Sequence, residues 1–171
     1  MRWFALGLTL VWALAYAQLG VKSPAFTYGG WIPRVYTCDG ADRSPPLVFS
    51  GVPRGTGSLV LLVLDPDAPG GTFYHWAVYD LAPNATRLPE GVPGRAKLRG
   101  FLQGRNDFGR LGYGGPCPPR GHPAHRYFFR LFALVSPRLG LPPGASAREV
   151  ARRLSRAPVL AEAHWMGRYR R

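Results

Sequence analysis

The chain has 171 residues, 46% hydrophobic and 13% aromatic, which is enough apolar surface for one domain with its own core and too little length for two. Its 18 prolines and 22 glycines argue against a helical bundle and for short strands joined by structured turns. The formal net charge is +13, yet only Lys22 and Lys97 are lysines and the arginines are scattered along the chain. Such scatter reads as solvated basic surface that tolerates peripheral contact with an anionic membrane, and no specific nucleic-acid partner is expected.

In chain order, Arg2 precedes the uncharged apolar stretch Trp3 to Leu14, and Ala15-Tyr16-Ala17 forms a small-x-small site ahead of Gln18. This pattern predicts a signal peptide over residues 1–17, cleaved to release an exported single domain over 18–171, periplasmic or extracellular. A retained anchor is the alternative, but the apolar run falls short of the roughly 20 residues that a spanning helix needs.

Leu47-Val48-Phe49 is a short strand candidate. Ser58 to Leu64 is an unbroken apolar run, the pattern of a strand buried on both faces. Phe73 to Leu81 is aromatic and β-branched and ends at Pro83-Asn84, and Tyr127 to Val135 alternates loosely before Pro137. One helix is punctuated: Ser146 with Glu149 forms a capping box, Val150 and Leu154 share a face, and Pro158 limits it. Arg168, Arg170 and Arg171 fall at what reads as a frayed end.

Two segments carry ionisable groups at strand ends beside rigid loops, where binding sites sit on a fixed scaffold. The first is Asp65-Pro66-Asp67-Ala68-Pro69-Gly70-Gly71, followed by His75-Trp76. The second runs from Gly104-Arg105-Asn106-Asp107-Phe108-Gly109 through Gly114-Gly115-Pro116-Cys117-Pro118-Pro119 to His125-Arg126-Tyr127. Taken singly, the aspartates read as turn caps and His75 as a packed strand residue. His122 and His164 read as surface or packing residues.

Together, these segments resemble the phosphatidylethanolamine-binding (Raf kinase inhibitor-like) family in its bacterial branch, along with Cys38-Asp39-Gly40 and Ser44-Pro45-Pro46-Leu47. The likeness runs from about Phe26 to Tyr169. It implies a mostly β fold: a central antiparallel sheet, a second smaller sheet and a few peripheral helices. It also implies a small pocket for phosphate, carboxylates or phospholipid head groups, lined by Asp65, Asp67, His75, His125 and Tyr127 and rimmed by Gly114, Gly115 and Pro116. Relatives of this kind bind or inhibit partner proteins such as proteases and kinases, so a non-enzymatic binding protein without cofactor is expected.

The chemistry agrees. Imidazoles and a phenol present donors to an anion, the more so when the histidines are cationic, and carboxylates can orient and charge those histidines. The competing reading is a metal-dependent hydrolase using the same Asp/His cluster. Neither a His-Glu-x-x-His spacing nor a Gly-x-Ser-x-Gly elbow occurs to favour an enzyme. In the family pattern the loops carrying Cys38 and Cys117 lie close together, and an exported protein keeps disulfides, so a Cys38–Cys117 bridge is expected, with two buried free thiols as the alternative.

Overall fold

The computed structural model describes residues 17–171, so the expected signal segment up to Tyr16 lies outside the described residues. Nine strands, one α-helix and one short 3-10 helix follow in order: β1 Gly20–Lys22, the 3-10 helix Arg34–Tyr36, β2 Leu47–Ser50, β3 Ser58–Asp65, β4 Phe73–Leu81, β5 Arg87–Leu88, β6 Lys97–Leu98, β7 Phe101–Gln103, β8 His125–Leu134, α1 Ala147–Leu154 and β9 Val159–Tyr169. They form a small antiparallel sheet, β1-β2-β5, and a six-stranded antiparallel sheet, β6-β7-β4-β3-β8-β9. The expected fold class is the one observed.

The apolar run of β3 is explained by its place. It lies centrally between β4 and β8 and is buried on both faces. On one side, Leu59, Leu61 and Val63 join Tyr127, Phe129 and Leu131 of β8 in a core shared with Leu47 and Phe49 of the small sheet. On the other, Val60 and Leu62 join Phe132, Leu134 and the α1 residues Ala147, Val150 and Leu154. The period-two alternation of β8 thus divides its side chains between two cores. The helix starts where expected: the Ser146 side chain accepts from the Glu149 N–H, and the Glu149 carboxylate accepts from the Ser146 N–H.

One expectation is overturned. The chain does not fray at its C-terminal arginines; it forms β9, an eleven-residue edge strand paired with β8 along its length. Ile32 N–H donates to the Arg168 carbonyl and Arg168 N–H to the Gly30 carbonyl, which covers part of that edge. Arg171 Nε then donates to Asp39 Oδ1 at 3.1 Å.

The topology creates the site. In the adjacent strands β4, β3 and β8, β3 ends at Asp65, β4 begins opposite it at Phe73, and β8 begins at His125. Both motif segments therefore converge on one end of the large sheet.

Candidate functional site

At that sheet end lies a cavity of about 180 Å³ lined by Asp65, His75, His125, Tyr127, Ala68, Pro69, Phe73, Phe108 and the run Cys117 to Pro119. A wider depression of about 820 Å³ around Val52, Pro53 and Arg54 has no buried polar group among its described lining residues, whereas the smaller cavity is lined by the buried Asp65, His75 and His125.

His75 comes from β4 and is 3% exposed. Its Nδ1 donates to the Gly114 carbonyl at 2.7 Å, and its ring meets Phe73, Phe108 and Tyr127 at centroid distances of 4.9, 5.4 and 5.2 Å. Burial pushes its pKa below the ordinary histidine value, partly offset by the Gly114 carbonyl and the Asp65 charge. Burial thus favours the neutral form of this ring. With its proton on Nδ1, His75 keeps a bare Nε2, and that atom has no hydrogen bond among the described residues.

His125 opens β8, and its Nδ1 donates to Asp65 Oδ2 at 2.7 Å, with both side chains only 5% exposed. Asp65 Oδ1 accepts from the Asp67 N–H at 2.7 Å, so both carboxylate oxygens are engaged. Asp65 thus orients His125, as a buried carboxylate orients an imidazole in many sites.

Tyr127 differs from its neighbours. Its hydroxyl is buried and has no hydrogen-bond partner among the described residues. Burial first, and the Asp65 and Asp67 charges next, raise its pKa far above the usual phenol range. The Asp65 carboxylate acts on it through its charge and through a close but poorly aligned approach, which falls short of hydrogen-bond geometry.

Three expected site residues stand elsewhere. Asp67 does not line the cavity: it is gripped by Arg126, whose Nε and Nη2 donate to Oδ2 and Oδ1 at 3.0 and 2.9 Å. Arg126 lowers the Asp67 pKa, chiefly through those hydrogen bonds. Gly115 and Pro116 stand behind the wall. Gly115 N–H donates to Asp42 Oδ1, and the Pro116 carbonyl accepts from the Cys38 N–H. A Cβ on Gly115 would lie 2.2 Å from the Tyr36 carbonyl oxygen, so glycine is needed for the close approach. Gly114 serves the site through its carbonyl rather than as rim. The wall facing the cavity comes instead from Cys117, Pro118 and Pro119, anchored by the Cys38–Cys117 disulfide, which is present as expected.

The cavity residues not singled out from sequence are apolar: Ala68, Pro69, Phe73, Phe108, Pro118 and Pro119. Phe108 sits in a turn fixed by Asn106, whose Oδ1 accepts from the Phe108 and Arg110 N–H groups. That turn lies within a motif visible in the sequence, which was the only available signal. Among the described residues, no group of three or more His, Cys, Asp or Glu is placed to hold a metal ion, and nothing supports the hydrolase alternative.

Comparison with known proteins agrees with this architecture. The phosphatidylethanolamine-binding protein family profile matches residues 22–170. A UPF0098 protein of Aquifex aeolicus is 53% identical over 155 residues, covering 91% of this chain and 90% of its own. The crystal structure of YbcL from Escherichia coli superposes with a TM-score of 0.83 at 34% identity, covering 91% of this chain and 99% of its own. That of CT736 from Chlamydia trachomatis gives 0.79 at 38%, with 90% and 98% coverage. The chain belongs to the phosphatidylethanolamine-binding protein family.

Proposed function

We propose that this protein is a non-catalytic binding protein whose sheet-end pocket holds a small oxyanion: phosphate, a carboxylate or the phosphorylated head group of a lipid. The observation that carries this reading is the buried, unpaired hydroxyl of Tyr127, a residue that lines the cavity. A buried hydroxyl without a partner costs about 1–3 kcal/mol, and a ligand oxygen accepting from it removes that penalty. His125, held through Nδ1 by Asp65, also lines the cavity, and in its cationic form Nε2 is a second donor. At about 180 Å³ the cavity suits a head group rather than a whole lipid. The disulfide suits an oxidising compartment, which supports export after signal-peptide cleavage as part of this proposal.

Titration calorimetry with acetate and phosphate tests the reading. His125→Ala removes most of the binding of both anions while the protein stays folded. Affinity unchanged in that variant would move anion binding to the arginine-rich surface, where it would also fall steeply with salt.

A further inference from the structure

Resting on that pocket, we propose that it selects among tetrahedral oxyanions for those that bring a hydrogen-bond donor of their own, taking hydrogen phosphate and excluding sulfate. The discriminating atom is Nε2 of His75.

A carbonyl oxygen only accepts, so the 2.7 Å contact to Gly114 places the hydrogen on Nδ1 and leaves Nε2 an acceptor. The ring cannot readily turn to exchange the two nitrogens. Phe73, Phe108 and Tyr127 pack against it, and Gly114 is itself fixed, its N–H donating to the His75 carbonyl at 2.9 Å. Burial favours the neutral ring, in agreement with this geometry.

The other polar groups facing the cavity do not offset this acceptor. Asp65 is acceptor-only, with both oxygens already used. Tyr127 supplies one hydroxyl, and His125 donates from Nε2 only when protonated. A tetrahedral anion without a proton would set its own lone pairs against Nε2 of His75. A P–OH group instead donates to it. Sites built around such a bond reject the analogue lacking the proton, because the acceptor then faces the anion's lone pairs instead of a donor. A phosphodiester has no P–OH, so a lipid head group enters only if it carries another donor, such as an ammonium N–H.

The experiment is titration calorimetry of the mature, disulfide-bonded protein at about pH 8. There, phosphate is almost entirely the hydrogen phosphate dianion, which matches sulfate in charge and nearly in size while carrying one more proton. Hydrogen phosphate binds and sulfate binds at least about tenfold more weakly. Sulfate within threefold of phosphate overturns the inference and leaves the oxyanion pocket standing. Failure of phosphate, sulfate and acetate alike overturns both. The methyl diesters of phosphoethanolamine and phosphocholine separate the two sources of ligand. Binding of the first alone assigns the donor to a head-group ammonium, exclusion of both assigns free phosphate, and binding of the choline diester as tightly as hydrogen phosphate overturns the inference. In His75→Gln the amide can turn a donor toward the ligand, so the preference for phosphate shrinks toward unity. An undiminished preference in folded His75→Gln overturns the role of His75, and the wild-type comparison decides the selection even where that variant does not fold.

Discussion

Asp65 holds His125 and the Gly114 carbonyl holds His75, but no protein group holds the Tyr127 hydroxyl. A group left unsatisfied in the core is a stability loss kept for binding. Tyr127→Phe should therefore stabilise the ligand-free protein by about 1 kcal/mol, since the unpaired hydroxyl goes and the ring stays. The same variant should lose most of the thermal stabilisation that phosphate gives the wild type. Thermal melts with and without phosphate read both effects, and a melting point lowered in the absence of ligand would show that the hydroxyl is satisfied after all. Asp65, His75, His125 and Tyr127 were legible in the sequence because ionisable or hydroxyl-bearing residues at strand ends beside Gly/Pro-rich loops stand out. Phe73, Phe108, Pro118 and Pro119 were not, because an apolar side chain facing a cavity reads the same as one facing the core. Asp67 misled for a related reason: a carboxylate in a turn does not reveal whether its partner is a ligand or an arginine such as Arg126.

Strands β3, β4 and β8 and helix α1 follow closely from local pattern, because central strands and capped helices express their burial in the sequence. The edge strand β9 does not. Its residues alternate between exposed and partly buried, with Glu162, His164 and Arg168 on a face that only pairing with β8 makes a sheet. What fixes β9 is tertiary. A Cβ on Gly167 would come within 2.5 Å of Ile32 and 2.7 Å of Phe26, so the strand lies flat against the first core only because that position is glycine. Gly167→Val should destabilise the protein by about 1–3 kcal/mol through overpacking, measured by urea denaturation. Stability equal to wild type would mean that the contact between β9 and the 26–32 segment is loose.

Across the whole molecule, one end is tied more densely than the rest. The disulfide joins residues 79 apart, and closing a loop of that length stabilises by at most about 4.5 kcal/mol on the chain-entropy argument. Beside it, the Tyr169 hydroxyl donates to Asp39 Oδ2 at 2.7 Å, and Arg171 reaches both Asp39 and the Cys117 sulfur. The covalent link and these side-chain bonds all bear on the wall formed by Cys117, Pro118 and Pro119 and brace that side of the pocket. The net charge of +13 raises anion concentration around the whole surface, whereas the pocket places one anion in one orientation. A crystal structure of the mature protein with phosphate separates the two effects directly. The account predicts one phosphate in the sheet-end cavity, with an oxygen within about 3 Å of the Tyr127 hydroxyl and of Nε2 of His125. Phosphate found only against surface arginines, with the cavity free of it, would contradict the account.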